Sequence, residues 1–251
     1  MTSRQGMLIV VADDFGADSR VNMAIAEGVR QGLVSNVSLL ANGAAFAEAC
    51  ALARDRGWAG RVGIHISVTE GPALSDPIRH CPRLCDEAGH LRFRRFTHFS
   101  LTPEERAALT REWQAQIDRC RSAGIPLGHA DSHHHCHTEF PLFRVVAPLL
   151  RANHIPFLRL SDNVRKTSLA RGLYKRLFNI ALTRARLRGT DYFCDADGIR
   201  RIAGATDKVI ELMVHPILDE QGRLIDGTSG RLLRDCPPDG FRLGSFADLN
   251  S

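Results

Sequence analysis

No apolar run in the 251-residue sequence approaches the ~20 residues needed to cross a bilayer. Tryptophan and tyrosine occur only twice each, too few aromatic faces for a surface that grips a long polymer. The glycine-rich phosphate loop expected of a nucleotide-binding doubly wound sheet is absent. Seven cysteines, an odd number without regular spacing, do not make a disulfide framework. The pair Cys81 and Cys85, with His80 beside it, lacks the second pair that a structural zinc knuckle needs. The first residues show no charged-then-apolar secretory pattern, so a reducing, cytoplasmic setting is expected. A net charge of +5 and a pI near 9.0 would suit an anionic partner, but no nucleic-acid-binding motif accompanies them, and none is expected to bind.

What is present is ordinary globular material, 44% apolar and 24% charged, enough for one barrel-sized domain over residues 1–251. Residues 7–12 form a continuous apolar run, the mark of a strand buried on both faces, ending at Asp13-Asp14-Phe15-Gly16. Helical periodicity follows to Gln31-Gly32, then a strand at 35–40, a helix at 44–56 and a strand at 61–68 that carries His65 inside an apolar run. Residues 69–101 have little periodicity and read as a lid-like insertion. Thr102-Pro103-Glu104-Glu105 is a capping box opening a long helix. Strands at 127–132 and 156–160 and a helix at 140–152 come next, then a basic helical region at 165–188 suited to solvent or to a membrane surface. Residues 209–216 form the last convincing strand and end in His215-Pro216.

The heptad Asp131-Ser132-His133-His134-His135-Cys136-His137 concentrates metal-capable side chains as no core or solvated surface requires. An extended backbone would put Asp131 and His133 on one face, whereas a helical turn would join His133 to His137. A polar His-rich loop with accidental metal affinity is the plain alternative. Asp13 and Asp14, His65, the heptad and His215 belong to four strands that alternate with helices. Such strands form a parallel sheet, and in a (β/α) barrel their C-terminal ends share one mouth.

These blocks resemble, in order and spacing, those of the YdjC-like carbohydrate deacetylases: Asp13-Asp14-Phe15-Gly16, then Gly63-Ile64-His65 with Thr69-Glu70-Gly71, then 131–137, then 211–216. The resemblance runs from about residue 7 to 217. It implies a distorted, incomplete (β/α) barrel like that of polysaccharide deacetylases, one divalent cation, and removal of an N-acetyl group from an amino sugar, here a small glycan or glycolipid headgroup. By position it implies Asp14, His65 and His133 as metal ligands. Ile217 stands where family members commonly have glycine, and residues 219–251 are divergent. His137 is a further possible ligand, while His134 and His135 support.

Amide hydrolysis needs a base for the attacking water and an acid for the departing amine, and Asp13 and His215 are the candidates. Asp13 could instead cap a helix or support a ligand histidine. Two imidazoles favour zinc over magnesium, although the family suggests magnesium. A metal-dependent phosphoesterase and a non-catalytic sugar-binding protein are the rival readings. Peripheral membrane contact through 165–188 and a homodimer are both compatible with the sequence.

Overall fold

The strands form where apolar runs can be buried on both faces. The structure, a computed structural model, describes residues 6–249 other than 98, 99, 203, 206 and 239. The expected domain and lid therefore include residues outside those described. In chain order the strands are β1 (Met7–Phe15), β2 (Asn36–Leu39), β3 (Val62–Ile66), β4 (His129–Ser132), β5 (Phe157–Leu158), β6 (Tyr192–Cys194), β7 (Val209–Val214), β8 (Pro216–Leu218), β9 (Leu224–Asp226) and β10 (Arg242–Leu243). The helices are α1 (Ser19–Arg30), α2 (Phe46–Asp55), α3 (Asp76–Arg79), α4 (Pro103–Ser122), α5 (Phe140–Ala152) and α6 (Leu169–Arg184).

One parallel sheet runs β5-β4-β3-β2-β1-β7-β6, with β10 pairing the start of β1. It curls into a half-barrel. The curl is evident in one side chain: Arg159, just past β5, reaches Asp13 on β1, Asp131 on β4 and Glu211 on β7. The seam between the outermost strands is spanned by a bridge from Phe157 to Arg188 and by the Asn163 amide, which holds Asp191 and Phe193. Gly63 permits the close approach of β3 to β4, because a Cβ there would lie 2.4 Å from the His129 ring.

Three differences from the sequence reading bear on the site. β1 does not stop at Ala12 but continues to Phe15 through a bulge between Ala12 and Phe15, with Asp14 in the left-handed region at φ 66. Residues 69–101 are better packed than their irregular sequence suggests. Ile78, Leu84, Leu91 and Phe93 are buried one by one rather than along a periodic face. Glu112 and Gln116 of α4, both fully buried, anchor the segment by accepting hydrogen bonds from the Leu74, Ser75 and Ser67 amides. Finally, β7 is not the last strand: β8 and β9 form an antiparallel hairpin beyond it, and β10 returns to β1.

Candidate metal centre and catalytic site

Polar side chains collect at the C-terminal ends of β1, β3, β4 and β7. The β1 bulge turns the Asp14 carboxylate toward the mouth, where Oδ1 lies 2.9 Å from His133 Nδ1 and 3.2 Å from His65 Nε2. Burial opposes the Asp14 charge, but hydrogen bonds from His133 and His65 hold its carboxyl well below the usual range.

His65 is buried within β3, and its other nitrogen, Nδ1–H, donates to Asp131 Oδ1 at 2.7 Å. That bond orients the ring so that Nε2 faces Asp14. Burial alone would lower the His65 pKa, yet the Asp131 and Asp13 charges lift it to about 10. Asp131 is itself fixed, since its Oδ2 accepts from Ser38 Oγ at 2.8 Å and from Arg159 at 2.6 Å. Burial raises the Asp131 pKa less than the neighbouring Arg159 and His65 charges lower it.

His133 opens a turn of 3-10 helix, His133–Thr138, in which His134 and His135 both have φ of 53. Two consecutive left-handed non-glycine residues cost free energy, about 1–2 kcal/mol each. They send the remaining histidines in different directions. His137 is fully buried, accepts from Ser132 Oγ at Nδ1 (2.5 Å), and donates from Nε2 to the Arg159 carbonyl (3.1 Å). With both nitrogens engaged and its pKa pushed down to about 3 by burial, it stands outside the cluster. Of the two arrangements open to the heptad, the helical pairing of His133 with His137 does not form. His134 pairs with Thr69, and His133 Nε2 faces Glu70 at 3.2 Å.

Asp14, His65 and His133 thus offer ligand atoms that all lie within 4.8 Å of one another. Donors held about 2 Å from one ion are separated by about 3–3.6 Å, so the trio suits a small divalent cation. Asp131 behind His65 is the supporting carboxylate that such a ligand uses.

Asp13 is gripped from the barrel side, where Arg159 Nη1 and Nη2 donate to its two oxygens at 2.6 and 2.8 Å, while its carboxylate stays within 4.8 Å of a His65 ring nitrogen. Arg159 Nε also donates to Glu211 at 2.5 Å. One fully buried guanidinium serves three buried carboxylates. Burial lifts the Glu211 pKa to about 7, despite Arg159 beside it, because Asp131 and Asp13 add like charge. His215, 30% exposed, brings Nε2 to 4.0 Å from Asp14 Oδ2, while Nδ1 pairs with Thr228 Oγ1 at 3.0 Å. Asp226 of β9 accepts from the His215 amide and from Ser229, so the hairpin fixes the loop that orients this ring.

Arg159 and Thr228 escaped the sequence reading, and Glu70 and Glu211, though inside the matching blocks, were given no role there. For Arg159 and Glu211 the signal was there, a single charged residue inside an otherwise apolar strand, as with His65. Thr228 lies in a loop with no such mark.

The YdjC-like protein family profile matches residues 7–237. A carbohydrate deacetylase of Brevibacillus brevis is 38% identical over 59% of this chain, and the match spans 57% of that relative's length. A chitooligosaccharide deacetylase of Serratia marcescens is 29% identical over 97% of this chain and 99% of its own. A crystal structure of an Enterococcus faecalis protein, proposed to cleave cellobiose phosphate, superposes with a TM-score of 0.73 over 98% of this chain and 99% of its own, at 23% identity, which establishes the same fold.

Proposed function

Because this chain belongs to the YdjC-like family, we propose that it is a carbohydrate deacetylase that hydrolyses the N-acetyl group of an amino sugar with the help of one divalent cation. The observation that carries the reading is the cluster of Asp14, His65 and His133, with His215 on the far side of Asp14. Two imidazoles and a carboxylate suit zinc or another late first-row ion better than magnesium. A cation held there supplies Lewis-acid polarisation of the acetyl carbonyl.

The chain's own groups supply the proton transfers. The water oxygen forms a bond to the carbonyl carbon as its proton passes to Asp13, whose oxygens each keep a lone pair beyond those used by Arg159. Arg159 holds Asp13 fixed in place through both of its oxygens. Nε2–H of His215 then donates to the amide nitrogen, the C–N bond breaks, and acetate and the free amine leave. Thr228 Oγ accepts from Nδ1–H and so supports the charged ring in that step. Residues 69–101, carrying Glu70 to the rim, would act as the lid.

A two-metal phosphoesterase reading is weakened because the buried carboxylates Asp13, Asp131 and Glu211 are held by Arg159, which leaves Glu70 beside Asp14 at the rim. Seven buried free thiols support a reducing, cytoplasmic setting. The test is mass spectrometry of purified protein against N-acetylated sugars, sugar nucleotides and glycolipids. Loss of one acetyl group from at least one class, abolished in His65→Ala, is expected. No deacetylation across the panel with added zinc or magnesium would refute the proposal.

A further inference from the structure

α6 has two apolar faces where a surface helix has use for one. Phe178 and Leu182 are fully buried, and the Phe178 ring packs edge-on against Phe143. On the opposite side Leu169, Leu173, Leu177 and Ile180 recur at steps of three and four residues, and they are 94, 58, 49 and 38% exposed. Exposing one leucine is ordinary, but a continuous apolar stripe along a helix marks a contact surface. Arg176 and Arg184 flank the stripe on the same side. From Val164 to Thr190 the sequence holds eight arginines and lysines and no aspartate or glutamate.

We propose that α6 is a docking surface for an anionic lipid bilayer, with its leucine stripe at the acyl boundary and Arg176 and Arg184 among the phosphate headgroups. An amphipathic helix with cationic flanks and an apolar face lies in the interfacial plane in this way. The stripe cannot span: no helix among the described residues is long and apolar enough to cross a membrane. A second copy of this face is disfavoured by charge, because two such helices would bring Arg176 and Arg184 of each together and α6 itself carries no acid to pair them. The phosphate surface of a lipid leaflet supplies the missing negative charge.

Docking would also place the site. A cavity of about 230 Å³ opens beside the start of α6, lined by Lys166, Thr167, Arg171 and Lys175 together with His135 of the histidine-rich turn and Met213 of β7. The α6 residues of that lining, Arg171 and Lys175, face away from the leucine stripe, so a glycolipid headgroup of the docked leaflet would reach the opening around the start of the helix. That consequence rests on the deacetylase reading, whereas the docking does not.

Flotation of the full chain with phosphatidylcholine vesicles, alone or containing phosphatidylglycerol, tests the proposal without any activity measurement. We expect at least tenfold stronger partition onto the anionic vesicles, weakening as salt rises. Leu173→Asp with Leu177→Asp should reduce it more than tenfold, and each of Arg176→Glu and Arg184→Glu by about fivefold or more, since a juxtamembrane cation is worth about that factor. Arg111→Glu on α4 is the control for net charge and should change less. Because the substituted leucines are exposed, circular dichroism melting should match the parent. Absence of binding to anionic vesicles overturns the proposal, as does binding that the α6 variants leave unchanged. A parent dimer in light scattering that Leu173→Asp dissociates would assign the stripe to a second copy and overturn it equally.

Discussion

Replacing Arg159 with methionine would leave Asp13, Asp131 and Glu211 without their shared cation in sites no more than 2% exposed. The guanidinium donates to all three at 2.5–2.8 Å. Breaking one buried pair costs about 3–5 kcal/mol. With three carboxylates on one cation, Arg159→Met should lose at least that much of a total of about 5–15 kcal/mol. The loss should depend on pH in a defined direction. Glu211 titrates near 7 in the fold against about 4.5 when free, so the stability it contributes is complete below about 4.5 and is lost as pH rises through about 7. Without Arg159 its pKa moves further up, and the deficit should be larger at pH 8 than at pH 6. Glu211→Gln in the Arg159→Met background removes one unpaired charge and should recover about 1 kcal/mol or more at the higher pH. Urea unfolding followed by circular dichroism at both pH values measures this. A deficit below about 1 kcal/mol, or a double variant no more stable than the single one, would refute the idea that Arg159 neutralises the barrel interior.

Asp131→Asn removes the carboxylate behind His65 and should weaken zinc binding by about 10–100-fold, read by competition with a chromophoric chelator; affinity within twofold of the parent would place the ligand set elsewhere. Asp13→Asn and His215→Ala should each keep the metal and lose about 10²–10⁴-fold in turnover. They should part on an activated ester whose leaving group needs no proton, which His215→Ala should cleave nearly as fast as the parent while Asp13→Asn stays slow. Equal impairment of His215→Ala on amide and ester would make it an oxyanion stabiliser. His129, fully buried with Nε2 unpaired and stacked on Phe246, has its pKa pushed down to about 4 by burial. The unfolded chain takes this proton first, near 6.5, so stability is complete above that pH and falls by about 3 kcal/mol as pH drops toward 4. Unfolding curves for His129→Leu should lack that share of acid sensitivity, and an unchanged acid profile would refute the assignment.

Alternating apolar strands and helices are local properties of the chain, and they sufficed for the parallel sheet and for the strand ends that hold Asp14, His65, His133 and His215, while its being an incomplete barrel came from the family resemblance. A polar residue in a doubly buried strand announces itself by costing desolvation energy, which is why His65 stood out and why Arg159 and Glu211 could have. Residues 69–101 looked loose because the apolar side chains buried there, Ile78, Leu84, Leu91 and Phe93 among them, follow no period that could be detected. Which way a side chain faces was beyond reach wherever the backbone left its regular path. The bulge in β1 separates Asp13 from Asp14, sending one to Arg159 and the other to the mouth. The left-handed pair His134 and His135 likewise separates His133 from His137. The three-way grip of Arg159 exists only because the sheet curls, and Thr228 meets His215 only because a hairpin folds back over β7. Composition and periodicity record how much free energy a segment gains by burial; the direction of a carboxylate at a bulge is decided by contacts between residues more than a hundred positions apart.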